Sequence, residues 1–458
     1  MGDPSDRFPT HAPRPDWMKR GFKLDFLFWV LVRSIVLWGG ITIGISGCNL
    51  SAQNPADVSS PSAAQNVSPE LSPAGSSTAK PCTNPEQTVK FEPVTLTHAK
   101  GFSLEYHDRY KVLTVSTPWT NSNQSFQYLL VQCGTPIPPG FDQAQVITIP
   151  IEKVVVLSTT HLPFFDRLNA LDRIVGIRQI QDVSNPRLRQ QYDRGEVAAV
   201  GNGTDLDFER IVSLQPNLVT TFGIANVETT SIQRLQDLGL STAVIAEYLE
   251  ADPLAQAEWI KFIAAFLNQE TEANAIFEAI VQDYNRLRSL TQNLDQRPTV
   301  LTGFDLNGTW YVAGGKSFIA QFIQDAGGTY LWRENTSTGN LALDFEAVFL
   351  KGSPAEIWIN TNTRWQTVSD VTQEDDRYGQ FQALKTNRIF NNDAQLNADG
   401  GNDYWESGIL NPHIVLADLI QIIHPDLLPD HTLFYYRQLL PNPSPSNPSL
   451  NDREASPP

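Results

Sequence analysis

Two short stretches carry residues spaced for chemistry. Ala313-Gly314-Gly315-Lys316-Ser317 has the lysine and serine of a loop whose backbone N–H groups cradle a nucleotide phosphate. That pattern needs a second glycine at position 310, which is Trp310, so a phosphate loop is rejected. Gln395 to Glu406 places Asn397, Asp399, Gly400, Asp403 and Glu406 at the positions of a calcium loop. Its first position is Gln395 in place of Asp, and the preceding Thr386 to Phe390 reads as strand where the motif needs a helix, which counts against calcium. No G-x-S-x-G elbow and no evident Ser/His/Asp trio occurs, which counts against an α/β hydrolase and against an enzyme in general. Cys48, Cys82 and Cys133 form no C-x-x-C pair, and His161 has no ligand-type neighbour at metal spacing, so no metal centre is expected. What remains is aromatic and polar surface on loops. Trp310 and Tyr311 lie in NGTWYVAGG, and Asn402, Asp403, Tyr404 and Trp405 in GGNDYWE. Thr159, Thr160, His161 and Phe222 follow apolar runs. Flat rings with a polar edge suit a large chelate or macrocycle, although core packing explains any one of them better. Arg333, Arg364 and Trp365 are weaker candidates, an arginine suiting an anionic chelate.

The elements that must position these residues follow a regular rhythm. From Cys82 to about Ile151, stretches such as FSLEYHDRYKVLTVST and QSFQYLLVQCG alternate apolar and polar residues, predicting a small antiparallel β addition over 82–151. Cys82 and Cys133 are expected to form a disulfide there. Over 152–251, short apolar strands alternate with helices in EKVVVLSTT, LPFFDRLNALDRIVGI and DLDFERIVSLQPNLVTTFG, the pattern of a parallel α/β sheet. Asp252-Pro253 then opens a helical stretch over 252–296: one helix in PLAQAEWIKFIAAFLNQ and a longer one from Glu270. A second α/β set follows over 297–440. The fold class is therefore α/β: two Rossmann-like lobes joined by a long rigid helix, with the β addition at the amino-terminal side. The sequence LDFE occurs once in each lobe, at Leu206–Glu209 and Leu343–Glu346, each time before a short helix, a proline and an apolar strand.

Charge and leader narrow the class further. The net charge of −17 excludes nucleic acid as a partner. Basic residues Lys19, Arg20, Lys23 and Arg33 precede an apolar run, Ile35 to Gly47, which is shorter than the roughly 20 residues a bilayer span needs. Residues 1–47 thus read as a signal peptide, whose start codon lies downstream of Met1 if the leader has ordinary length. Ile45-Ser46-Gly47-Cys48 resembles the bacterial lipobox, which implies acylation of Cys48 and a membrane anchor. Residues 48–81 and 441–458, rich in Ser, Ala and Pro, read as a disordered tether and tail.

The stretches VVVLSTTHLPFFDRLNALDRIVGI, LDFERIVSLQPNLVTTFG, GGKSFIAQFIQDAGG, LDFEAVFLKGSPAEIWI and GGNDYWESGILNPHIVLADLI, in that order, resemble the substrate-binding proteins of ABC importers. The class is the one that takes ferric siderophores and cobalamin, its lobes joined by one rigid helix. The resemblance spans about Val154 to Leu440. It implies a monomeric, extracytoplasmic receptor without cofactor, partnered by a permease and its ATPase. It implies a metal chelate, of the ferric siderophore kind or else a corrinoid, held between the lobes. It also implies that Glu209 and Glu346, one per lobe, dock on the permease, while Asp207 and Asp344 serve as helix caps. Two exposed ion pairs of about 0–1 kcal/mol each give register and on-rate more than affinity.

Overall fold

The computed structural model describes residues 91–441 apart from 121, 143, 204 and 224–226. The leader, Cys48, the tether, Cys82 and the carboxy-terminal tail lie outside the described residues. Cys133 is disulfide-bonded.

The amino-terminal sheet holds β1 (Phe102–Tyr106), β2 (Tyr110–Val115), β3 (Phe126–Gln132) and β4 (Gln145–Ile149), in that order. The first two pairings are antiparallel, and β4 joins β3 in parallel. Parallel pairing needs a crossover in place of a hairpin, and residues 133–144 provide it. The strands bury both faces: Leu113, Tyr128, Leu130 and Ile147 join the main core, and Val112, Leu129 and Val131 form a second cluster.

The first lobe contains β5 (Val154–Val156), β6 (Ile174–Ile177), β7 (Ala198–Ala199), the small pair β8 (Gly201–Asn202) and β9 (Asp205–Leu206), β10 (Leu218–Thr221) and β11 (Thr242–Val244). Its main sheet runs β11-β10-β5-β6-β7, all parallel. The second lobe contains β12 (Thr299–Thr302), β13 (Phe304–Leu306), β14 (Thr309–Val312), β15 (Thr329–Tyr330), β16 (Leu341–Leu343), β17 (Ile357–Ile359), β18 (Ile389–Asn391) and β19 (Arg437–Gln438). Its main sheet runs β15-β12-β17-β18-β19, parallel except for β19, beside an antiparallel β13-β14-β16 sheet. Helices cover the parallel sheets, so Val154-Val155-Val156 and Ile357-Trp358-Ile359 are buried throughout.

Between the lobes run the helices Pro253–Glu258, Ile260–Leu267 and Glu270–Ser289. The long helix is the expected one, with Ala273, Phe277, Ile280, Tyr284 and Leu287 forming its buried stripe. The stretch before it is two helices, where one was expected. It breaks at Trp259, whose ψ is −8°. Tertiary bonds account for the break. The Glu258 carboxylate accepts from the N–H groups of Thr97, His98 and Ala99 at 2.7–2.9 Å, and Trp259 Nε1 donates to Glu250 at 3.1 Å. Glu250 also accepts from Lys100 and Gly101 N–H at 2.9 and 2.8 Å. Lys111 on β2 completes the join through a buried ion pair with Glu270. The β addition is thereby bonded to the linker helices as well as packed on them.

Candidate functional site

Both LDFE copies begin helices through the same local device. The Asp207 side chain accepts from Arg210 N–H at 2.9 Å and that of Asp344 from Ala347 N–H at 2.6 Å. These bonds satisfy donors that the first helical turn leaves free. Glu209 and Glu346 sit one residue into their helices and are exposed. Glu346 is 81% exposed, with the Arg377 guanidinium 3.9 Å away.

The turn after β5 carries Thr159, Thr160 and His161. Thr160 is half-buried and its hydroxyl lies 2.9 Å from that of Ser158. His161 is fully buried, with Nδ1 3.2 Å from Thr220 Oγ1 and Nε2 3.9 Å from the equally buried Glu247. Burial lowers His161 to about 3 and raises Glu247 to about 7, so the pair is not an ion pair near neutrality. Phe222 follows β10, buried under the Arg178 guanidinium at 5.4 Å.

In the second lobe, strand alternation separates two neighbouring candidates. Trp310 is completely buried, stacked on Trp358 and Phe381, with Nε1 donating to Thr302 O at 3.2 Å. It is a core residue and not a ligand contact, because β14 turns it toward the main sheet. Tyr311 points to the other face, half-buried and opposite Phe304 across the hairpin. Trp365 is likewise a core residue, 1% exposed, with Nε1 on Glu374 at 2.8 Å. Arg364 is exposed.

The segment GGNDYWE also departs from expectation. Asn402 caps the short helix Asp403–Glu406 by accepting from Tyr404 N–H at 3.1 Å, and it donates to Asn392 O at 3.0 Å. Tyr404 is buried against Tyr435 and Tyr436, and burial raises its hydroxyl to about 12. Asp403 holds Ser407 Oγ at 2.6 Å. Asn402, Asp403 and Tyr404 thus have structural partners, and Trp405, half-buried edge-on to Tyr404, is the more accessible ring. Across the lobe boundary the short helix packs on the turn 159–161, so His161 and Tyr404 belong to the seam between the lobes.

The two motif-like stretches are accounted for by packing. A Cβ on Gly314 would meet Ser337 O at 2.2 Å, and one on Gly315 would meet Trp332 O at 2.3 Å. Their glycines permit that close approach. In the calcium-like loop, Asn397 Nδ2 donates to Gln181 O and Val183 O at 2.9 Å, and Arg189 holds Asp399 at 2.6 Å. The oxygens such a loop would turn toward an ion are engaged elsewhere: those of Asn397 and Asp403 within the second lobe, those of Asp399 and Glu406 with the first.

A cavity of about 770 Å³ lies between the end of the linker helix and the second lobe, with Ala251 its one lining residue from before the linker. Arg288 on the linker helix, Arg297 before β12, Lys316 before the helix Phe318–Asp325 and Arg333 after β15 all line it. The charged groups of Arg288 and Lys316 have no hydrogen-bond or ion-pair partner among the described residues. Arg297 donates to Thr291 O at 3.0 Å, and Arg333 pairs with its neighbour Glu334 at 3.2 Å. The lining carboxyl, Asp325, is buried on Tyr284 and pushed up by that burial. Of this set the sequence singled out Arg333 alone. The available signal was four cations close in space on an acidic chain, and only the fold brings them together.

The model of the periplasmic binding protein family matches residues 154–396. The chain belongs to that family. Members are extracytoplasmic solute-binding subunits of ABC transporters, working with a permease and an ATPase, and they hold ligands and not cofactors. Two uncharacterized lipoproteins of Methanocaldococcus jannaschii are each 25% identical to this chain. One aligns over 72% of this chain and 82% of its own length, the other over 68% and 80%. Among solved structures, a possible iron-binding (periplasmic solute-binding) protein of Staphylococcus epidermidis overlays 60% of this chain and 99% of its own, at 14% identity and TM-score 0.49. A periplasmic binding protein of Veillonella parvula overlays 69% and 98%, at 11% identity and TM-score 0.49. Overlays this partial say nothing of what this chain binds.

Proposed function

We propose that this protein is a lipid-anchored receptor that takes an anionic metal chelate, of the ferric siderophore kind, in the cavity between the linker helix and the second lobe and delivers it to its permease. The anchor is Cys48, and the docking points are Glu209 and Glu346, whose exposure presents them to a basic partner surface, Glu346 exchanging its loose contact with Arg377. The observation that carries the ligand class is the cationic cavity. Four basic side chains around about 770 Å³ on a chain of net charge −17 favour an anion of chelate size. Lys316 and Arg288, whose charged groups are not held in a close ion pair, attract such a ligand from solution and bind it with charge-assisted hydrogen bonds, although Asp325 and Asp252 offset part of the Arg288 charge. The same lining argues against a corrinoid, whose macrocycle calls for apolar and aromatic walls.

The test is tryptophan fluorescence titrated with anionic ferric siderophores, their iron-free forms and cobalamin. Saturable quenching by a ferric form is expected, weakened about tenfold or more by Arg288→Ala or Lys316→Ala through loss of a charged hydrogen bond. Quenching by cobalamin alone overturns the ligand class.

A further inference from the structure

Each LDFE helix leaves one large aliphatic side chain bare, in the same place in both lobes. The first-lobe helix is Phe208–Ser213 and its second-lobe counterpart is Phe345–Gly352. Val212 on the first is 40% exposed, and Leu350 on the second is 83% exposed, the highest value of any large apolar side chain among the described residues. The other apolar residues of these helices are covered. Ile211 and Val348 are buried in the lobe cores, and Phe349 packs on the rings of Phe345 and Phe381. Guanidinium groups cover the LDFE phenylalanines, in each lobe from a helical segment beyond the following strand. That of Arg234 lies 4.1 Å from the centre of the Phe208 ring, and that of Arg377 lies 3.8 Å from the centre of the Phe345 ring.

A single exposed leucine or valine needs no explanation. Recurrence on a repeated unit is different, and the spacing gives it direction. Val212 follows Glu209 by three residues and Leu350 follows Glu346 by four. On a helix both spacings place the two side chains on one face. Beside each glutamate, one turn along, there is therefore a bare aliphatic group. Asp207 and Asp344 are engaged as caps and the phenylalanine rings lie under arginines. Glutamate and aliphatic side chain are the acidic and the apolar group that each helix offers outward.

We infer that Val212 and Leu350 are apolar footholds for the permease, which meets each of them with an apolar recess set beside the basic group that receives the neighbouring glutamate. The inference rests on the docking reading of Glu209 and Glu346 and adds a second kind of contact to it. Exposed ion pairs steer the encounter and fix register, and salt weakens them. An apolar contact forms once the surfaces are seated, so it slows departure, and salt leaves it in place. Leu350, larger and more exposed, carries the stronger contact. The charge of these faces selects the permease over other occupants. A second copy would set glutamate against glutamate at a symmetric contact, and an anionic lipid surface would repel both.

The experiment uses the protein's own permease with its ATPase, held in lipid nanodiscs, and the full chain carrying Cys48→Ser, so that docking alone joins the two. Association and dissociation rates are measured for Leu350→Ser, for Val212→Ser and for Glu209→Ala combined with Glu346→Ala. Leu238→Ser, at an exposed leucine outside both helices, is the control. Dissociation about tenfold faster in Leu350→Ser and about threefold faster in Val212→Ser is expected, with association nearly unchanged and the same ratios at high salt. The double glutamate variant instead slows association, most at low salt. Urea midpoints and solute binding stay as in the wild type, since both aliphatic side chains are exposed. Wild-type dissociation in both aliphatic variants, with slow association in the double glutamate variant, overturns this inference alone. Wild-type kinetics in the double glutamate variant overturns the docking reading, and this inference with it. Self-association that Leu350→Ser abolishes on sedimentation, with permease kinetics unchanged, gives the surface to a second copy and also overturns the inference.

Discussion

Glu258 offers the sharpest energetic test of how the β addition is held to the linker. Its carboxylate is fully buried and accepts from three successive main-chain N–H groups, those of Thr97, His98 and Ala99, and from Lys261 Nζ at 2.8 Å. Burial alone would raise its pKa, but these donors outweigh burial and hold it below the usual carboxylate value. Glu258→Ala removes the acceptor of all four. A buried donor left unpaired costs about 1–3 kcal/mol, and a buried ion pair broken from one side costs about 3–5 kcal/mol. Water entering at Thr97 and His98, which are less buried, relieves part of this, and Lys261 keeps Thr95 O at 2.7 Å. A loss of about 4 kcal/mol is expected for Glu258→Ala and about 2 kcal/mol for Glu258→Gln, which retains one oxygen. Urea unfolding followed by circular dichroism gives the loss, and hydrogen exchange at 97–99 locates it. A Glu258→Ala protein within about 1 kcal/mol of the wild type, with unchanged exchange there, refutes the reasoning.

Three further outcomes follow from particular contacts. His98 and Asp252 lie 2.8 Å apart at the start of the linker; the hydrogen bond raises His98 above its ordinary 6.5, and for Asp252 burial is outweighed only by the sum of that bond, the Leu254 N–H and the charges of His98 and Arg288, leaving it below 3.8. The His98 contribution is complete below pH 6.5 and fades as pH rises through the raised value, while that of Asp252 is present above pH 3.8 and fades in stronger acid. The stability difference between wild type and His98→Phe should therefore be largest between those two values and shrink as pH rises through the raised His98 value in denaturant titrations across pH. Glu209→Ala combined with Glu346→Ala should leave solute binding intact and abolish uptake into cells; undiminished uptake rejects docking through these residues. Trp310→Ala should cost about 3–5 kcal/mol of stability by opening a core cavity, with chelate affinity per folded molecule unchanged; a selective loss of affinity would return Trp310 to the binding surface.

What the sequence revealed and what it hid divide along local and non-local causes. The Asp207 and Asp344 caps, the stripe of the helix Glu270–Ser289 and the buried strands at 154–156 and 357–359 depend on neighbours in the chain, so periodicity and capping residues disclose them. The break at Trp259 depends on residues 97–101, far away in sequence, and no pattern within 253–267 announces it. Trp310 and Tyr311 are adjacent aromatics in one strand. Which of them faces the core is set by the sheet that β14 lies on, and that packing is not written in the strand itself. The loop 395–406 shows the same limit from the other side. Its residues match an ion-binding pattern locally, yet Glu406, Asp399 and the Asn397 amide nitrogen find their partners more than 200 positions away.

The position of the bound ligand tests the proposed function most directly. A crystal structure of the protein with the anionic ferric chelate that titrates best is the decisive measurement. The chelate is predicted against Arg288, Lys316 and Arg333, between the linker helix and the second lobe. A chelate bound elsewhere, or a cavity that stays empty while the chelate saturates the protein in solution, would contradict it.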